Sequence, residues 1–346
     1  MKNFLFGKTL NELDEVVSQL SLPRFTAKQI ADWLYKKRVT TIDEMTNISL
    51  ENRQKLAKTF SIGISLPTKN QISADGTKKY IFESRNRQKV FIESVYIPES
   101  DRATLCVSSQ AGCKMACKFC MTGRQSFQLN LSSGEILNQI CSIPDFDSLT
   151  NIVYMGMGEP FDNIENVLKS LEIITSDYGF AWSPKRITVS TIGIIPAMME
   201  FINKSKCHLA VSLHNPFDYE RLQLMPIQKK YPVKEIIQTL NNYDFSHQRR
   251  LSFEYIMFDE INDTPRHSKG LADLLRGLDC RINLIRFHEI PDCNLRPSKD
   301  EAIDKFQKYL NGKNILTTLR TSRGTDILAA CGMLSTKEMN KNIITE

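Results

Sequence analysis

From residue 100 the chain alternates between two kinds of segment, and no other feature limits its fold as strongly. Apolar runs with β-branched residues stand at 103–108, 151–155, 186–190, 208–212, 251–257 and 281–285. Stretches with helical period fall between and after them, at 132–141, 163–176, 194–203, 233–242, 266–276 and 298–310. Two of these open with the reciprocal capping spacing, Ser132-x-x-Glu135 and Ser298-x-x-Glu301. A strand that leads into a crossover helix joins a parallel neighbour, so six such units predict an α/β fold on a parallel sheet. Six units fall short of the eight in a closed barrel, which leaves a partial barrel or an open sheet.

The first sixty residues read as helices instead. Thr9-x-x-Glu12 and Thr26-x-x-Gln29 have capping spacing, and Leu10, Leu13, Val16, Val17 and Leu20 recur at helical period, as do Ile30, Trp33 and Leu34. Lys36, Lys37 and Arg38 stand where the second helix should end, a position that suits the helix dipole as well as an RNA backbone. Short β-like runs follow at 80–82 and 89–97. The expected organisation is a small helical accessory domain at 1–65, a short β-rich linker at 66–98, a core at 99–327 and a C-terminal segment at 328–346, polar after Leu334.

Charge divides at the same place. Residues 1–98 hold 16 basic and 10 acidic side chains; residues 99–346 hold the other 29 and 29, so the whole net charge of +6 lies in front. This points to a polyanionic partner for the front segment. An apolar fraction of 41% with 24% charged residues excludes wholesale disorder and collagen-like structure. The longest apolar stretch, 192–202, is interrupted by Pro196 and is too short to span a bilayer. The start, MKNFLFGKTLNELDE, turns polar before a signal-peptide core forms, so a cytoplasmic protein with reduced thiols is expected. Among nine cysteines, clustered ones then suggest metal or catalysis rather than disulfides.

One cluster stands out: Cys113-Lys-Met-Ala-Cys117-Lys-Phe-Cys120. Three thiolates this close can face one inorganic centre. A structural zinc ion needs a fourth ligand, for which Cys106 and Cys141 are candidates. A four-iron, four-sulfur cluster is the other option, with three irons held and the fourth open to a substrate. Polar residues also recur at the ends of the expected strands: Gly156-Met-Gly-Glu-Pro160, Ser190, and Ser212-Leu-His214. In parallel β/α folds such residues converge on one ligand-binding rim.

The cysteine triplet, with an aromatic before its last Cys, resembles the cluster loop of the radical S-adenosylmethionine (SAM) superfamily. SSQ-x-GC…C-x-FC-x-TG (108–123), MGMGEP (155–160), VSTIGIIP (189–196), LAVSLH (209–214), LMPI-x-KKYP (224–232) and RGTDILAACG (323–332) together resemble the RlmN/Cfr family of RNA adenine methyltransferases. The resemblance covers about 93–332 and implies a partial (β/α)6 radical SAM barrel with the front domain engaging RNA. It implies one [4Fe-4S] cluster on Cys113, Cys117 and Cys120 with an open iron, and SAM held by Gly158, Glu159, Ser190, Ser212, Leu213 and His214. Where many relatives carry a SAM-contacting Asn after an aromatic, this chain has Phe287-His288, so His288 is the expected substitute.

The implied substrates are an adenosine of 23S rRNA and the adenosine 3′ of the anticodon in tRNAs. Their ring carbons are not nucleophiles, so Cys331 is implied to take a methyl from one SAM, while a second SAM provides the radical that activates it. Glu93 is the implied base for the ring proton, and Cys106 the partner that releases product by forming a transient disulfide with Cys331. A flavodoxin or ferredoxin is the implied electron donor, and a monomer is expected. Pro160 favours the RlmN-type C2 target; Ser-Thr-Ile-Gly-Ile-Ile and Leu-Ile-Arg286 resemble the Cfr type, which methylates C8 and confers antibiotic resistance. A radical SAM enzyme for a small molecule, and a zinc-stabilised RNA-binding module without catalysis, are the alternatives from other classes.

Overall fold

The computed structural model describes residues 3–246 and 250–336. The last ten residues of the expected C-terminal segment therefore lie outside the described residues. At the front, α1 (Leu10–Gln19) buries Leu13, Val16 and Val17, and its capping box forms as its spacing predicts: Thr9 Oγ1 accepts from Glu12 N at 3.3 Å and Thr9 N donates to Glu12 Oε2 at 2.9 Å. α2 (Thr26–Ala31) begins differently. Phe25 is its cap residue, and Thr26 is buried inside the first turn with its N–H given to Pro23 O, so the expected Thr26 box does not form. The helix continues as a π-helical turn over Asp32–Lys36, and α3 (Leu50–Thr59) closes the layer.

One ten-stranded sheet organises the rest, and its strands lie in chain order. They are β1 (Lys69–Ile72), β2 (Lys78–Glu83), β3 (Phe91–Pro98), β4 (Ala103–Cys106), β5 (Asn151–Tyr154), β6 (Ile187–Thr191), β7 (His208–Ser212), β8 (Leu251–Met257), β9 (Arg281–Arg286) and β10 (Leu316–Arg320). β1 to β4 pair antiparallel and β4 to β10 pair parallel. The crossovers carry α4 (Ser133–Cys141), α5 (Ile164–Thr175), α6 (Ile195–Lys204), α7 (Asp218–Leu224) with α8 (Val233–Leu240), α9 (Pro265–Leu274) and α10 (Asp300–Asn311). All six expected βα units are present, and β1 and β10 are open edges, as a partial barrel requires.

Two further details differ from the sequence-based expectation. The chain adds a seventh parallel strand, β10, whose Leu-Thr-Thr-Leu-Arg composition is weakly apolar because an edge strand has one neighbour and little to bury. α10 starts one residue later than its spacing suggests: Lys299 occupies the cap, Ser298 Oγ is buried with no partner among the described residues, and Asp300 and Glu301 offset the positive pole instead.

The front helices dock on the core through side chains. Tyr35 packs against Phe6, Tyr178 and Phe180, Lys169 Nζ meets Glu12 at 2.9 Å, and Ser133 Oγ donates to Gly7 O at 2.7 Å. Arg38 lies 4.0 Å over the Phe146 ring and bonds Asp147 at 3.2 Å. Among the described residues no helix is long and apolar enough to cross a membrane.

Candidate active site

Strand alternation sorts the candidate residues before any loop is considered. Ile92, Leu105, Tyr154, Val189, Leu209, Phe253 and Leu284 face the helices and join the main core. Their neighbours Glu93, Cys106, Ser190, Ser212, Glu254 and Asn283 therefore face the opposite, inner side of the sheet. A second apolar patch forms there from Val95, Cys106, Met157, Ala329 and Leu334, with Val153 and Met155 packed on it. The chain after β10 thus folds back across the inner face.

That return is held by hydrogen bonds to the cysteine loop. Met121 N donates to Gly332 O at 2.8 Å, Thr122 Oγ1 to Leu334 O at 2.7 Å, and Gln125 Nε2 to Thr336 Oγ1 at 2.7 Å. Cys331, itself exposed, is brought within electrostatic reach of both Cys106 and Cys120, and both inner-face thiols are free. Burial pushes the Cys106 thiol up to about 12; the Cys331 sulfur adds to this, and the Arg320 guanidinium opposes it. Glu93 is only 2% exposed. Its Oε1 stands 3.4 Å from the buried Lys79 Nζ, and its Oε2 accepts from Ser335 N at 3.1 Å. Burial raises its carboxyl above the usual range, with Lys79 pulling the other way.

The loop bearing Cys113, Cys117 and Cys120 packs through Cys117 and Phe119 on Ile192, Met225, Ile256 and Phe287, beyond the strand ends. All three thiols are pushed up, first by burial; Cys117 also feels Cys120 and Cys113, Cys113 feels Cys120, and Cys120 feels Cys331. Such a set ionises only against a bound cation, which is what a metal centre provides. Among the described residues no three His, Cys, Asp or Glu side chains converge on a single ion. Cys141 belongs to the main core at the end of α4 and is not beside the loop.

The remaining candidates line the rim unequally. Gly158, at φ +96°, lies so close to Gln110 that a Cβ would stand 2.5 Å from Gln110 Cβ. Glu159 is buried and already engaged, accepting from Thr191 Oγ1 at 2.6 Å, Ile192 N at 3.0 Å and Phe161 N at 3.1 Å. Burial raises its carboxyl to about 7 in spite of these donors. It ties the end of β5 to the end of β6. Ser190 and Ser212 are half-buried on the inner face, and among the described residues neither hydroxyl has a partner. Leu213 spends its N–H on Glu254 O and its carbonyl on Arg221. His214 is buried behind the loop, its Nδ1 accepting from Ile256 N at 3.0 Å and its ring edge-on to Phe119 at 4.8 Å. Burial, then Arg221, lowers it to about 3, so it is neutral. His288 pairs its Nε2 with Ser322 Oγ at 2.8 Å.

Several residues at the site carry no signal in the sequence. Lys79 reads as a strand cation, yet it is the buried partner of Glu93. Glu254, Asn283 and Thr318 occupy one cross-strand row with Ser212 and are linked by bonds of 2.7 and 3.1 Å. Arg320 reaches from β10 across the inner face, 3.6 Å from Glu254 Oε2 and 3.4 Å from Met155 Sδ. Arg221 has no exposed surface at all. Only the register and the crossover packing bring these groups to the site.

Known proteins are similar to this chain in sequence and in fold. The sequence profile of the radical SAM superfamily matches residues 107–268, and that of the ribosomal RNA large subunit methyltransferase N-terminal domain matches residues 3–62. A probable dual-specificity RNA methyltransferase RlmN of Parabacteroides distasonis is 56% identical over 335 residues, 97% of either chain. A dual-specificity RNA methyltransferase RlmN of Syntrophus aciditrophicus is 42% identical over 97% of either chain. The crystal structure of a radical SAM methyltransferase from Sphaerobacter thermophilus superposes with a TM-score of 0.89 at 36% identity, covering 97% of this chain and 100% of that one. Membership of the superfamily implies an iron–sulfur cluster and SAM, for which the donor set above is suited. The chain belongs to the radical SAM superfamily and, within it, to the RlmN family of RNA methyltransferases.

Proposed function

We propose that this enzyme methylates C2 of an adenosine in 23S rRNA and of the adenosine 3′ of the anticodon in tRNAs, with Cys331 as the methyl carrier. One observation carries the reading: Glu93, Cys106 and Cys331, from three separate segments, are gathered on the inner face beside the cysteine loop. Cys113, Cys117 and Cys120 hold the [4Fe-4S] cluster, leaving one iron open, and the rim with Gly158, Glu159, Ser190, Ser212, Leu213, His214 and His288 holds SAM. When bound, these groups supply the methyl, the electron and the radical. The chain's own residues do the rest. Cys331 carries the methyl as a thioether and is joined to the adenine carbon through it. Glu93, whose ionised form Lys79 favours, removes the ring proton. The Cys106 thiolate then attacks the Cys331 sulfur: the sulfur–sulfur bond forms as the sulfur–methylene bond breaks, its electron pair passes to the methylene carbon, which takes up a proton to become the methyl group, and the disulfide must be reduced before another turnover.

Pro160 favours C2 over C8. The basic residues 1–65 engage RNA, 66–98 link them to the 99–327 core, and 328–346 carries Cys331. The cytoplasm, a monomeric state, and a flavodoxin or ferredoxin as donor complete the proposal. Nucleoside mass spectrometry of rRNA and tRNA from a deletion strain complemented with this gene tests it. 2-Methyladenosine in both RNAs is expected; 8-methyladenosine, or neither product, overturns it. Cys331→Ala is expected to abolish the product while leaving SAM cleavage.

A further inference from the structure

We propose that Arg221 is a positioning residue of the iron–sulfur site, clamping the strand-end rim and supplying the buried positive charge that faces the Cys117 side of the cluster loop. It lies on α7, and among the described residues every hydrogen-bond partner is neutral. Nε donates to Leu213 O at 3.0 Å; Nη2 donates to Ile192 O at 2.9 Å and Ser212 O at 3.1 Å; Nη1 donates to Gln228 Oε1 at 2.6 Å and Tyr231 O at 3.5 Å. The Asp218 carboxylate accepts from Gln228 Nε2 at 2.6 Å and acts on the guanidinium through space, after the Cys117 sulfur. A fully buried cation without a carboxylate in contact is costly unless some other anion balances it. Burial brings the guanidinium down to about 10, and the Cys117 sulfur is the foremost group opposing that.

The same helix holds the loop itself. Leu224 O accepts from Lys118 N at 3.1 Å, and Leu224 and Met225 pack with Cys117 and Phe119. The segment 224–232 thus acquires a role that its sequence does not reveal. Three of the clamped carbonyls follow or end β6 and β7, on the rim that carries Ser190 and Ser212. A thiolate-bound cluster is anionic and becomes more so on reduction, so a fixed cation beside it favours the reduced form.

The inference rests on Cys113, Cys117 and Cys120 holding a cluster. It is tested on the anaerobically reconstituted full-length protein, with Arg221→Gln and Arg221→Lys beside wild type. An EPR-monitored redox titration gives the midpoint potential, and calorimetry gives the SAM Kd. Arg221→Gln is expected to lower the midpoint and weaken SAM binding about tenfold. Arg221→Lys keeps the charge but cannot span three carbonyls, so its midpoint stays near wild type while SAM binding still weakens. A folded Arg221→Gln protein with wild-type midpoint and SAM affinity overturns the proposal. If Arg221→Gln fails to fold, Arg221→Lys decides: a shifted midpoint or an unchanged Kd overturns the proposal. Wild-type protein without a [4Fe-4S] signal would instead sink the cluster assignment beneath it.

Discussion

His214 shows how much a single position must satisfy here. It sits at φ +59°, in the left-handed region, and its Nδ1 must accept a backbone N–H. Its native value of about 3 lies below the ordinary value near 6.5. Below pH 6.5 the unfolded chain therefore binds a proton that the native state refuses. The native state loses up to ~1.4 kcal/mol per pH unit as pH falls from about 6.5 toward 3, and nothing is lost above. His214→Asn tolerates left-handed backbone and offers Oδ1 in place of Nδ1. We expect the stability advantage of wild type over this variant, read from urea unfolding at pH 8 and pH 5, to shrink at the lower pH. A constant difference would mean that His214 does not titrate as described. Gly158 is constrained by geometry rather than charge. Gly158→Ala meets both a positive φ and the Gln110 side chain, so a loss of about 1–3 kcal/mol and weaker SAM binding are expected, read by thermal melting and calorimetry.

Among the elements, the second helix of the front layer changes the meaning of its basic end. Lys36 and Lys37 share Asp32 at 3.9 and 3.5 Å while remaining half-exposed, and Lys37 also lies 3.6 Å from the Trp33 ring centroid. Arg38 is different: with Phe146 and Asp147 it forms part of the seam to the core. Three adjacent cations in sequence thus divide into two surface charges and one fastener. Replacing Lys36 and Lys37 with Gln is expected to reduce the slope of log RNA affinity against log salt by about one to two, with little change in stability. Arg38→Gln should cost about 1 kcal/mol of stability. An unchanged salt slope in the double variant returns both lysines to helix-end chemistry.

The element types were legible for the same reason the fold was. Helix and strand periods differ, and Thr9-x-x-Glu12 and Ser132-x-x-Glu135 each close a box within four residues. Thr26 and Ser298 have the same spacing and fail. Thr26 is pulled inside its helix by the turn from Pro23, and α10 starts from Lys299. A local motif states a possibility, and the neighbouring turn decides it. β10 escaped the sequence because an edge strand needs few apolar residues.

At the scale of the whole molecule, the central fact is closure: residues beyond β10 return to residues of β3, β4 and the cysteine loop. Cys106 and Cys331 are 225 positions apart in the chain, yet the fold brings them within electrostatic reach of one another. In the proposed cycle, Cys106→Ala cannot cleave the bond between Cys331 and the adenine carbon. Protein covalently attached to RNA is therefore expected to accumulate, visible as a band that ribonuclease shifts and that Cys106→Ala with Cys331→Ala lacks. Its absence, with methylated product still formed, would remove Cys106 from the release step. The sequence by itself determined the six βα units, the cysteine triplet and the polar strand ends, because periodicity and short spacings are local properties. It also carried the division of charge. Tertiary structure alone decided that Lys79 faces Glu93, that Arg221 is buried with no carboxylate in contact among the described residues, that Arg38 is a fastener and that the C-terminal return covers the inner face. Those outcomes depend on strand register and crossover packing, which join residues too far apart for any local pattern to record.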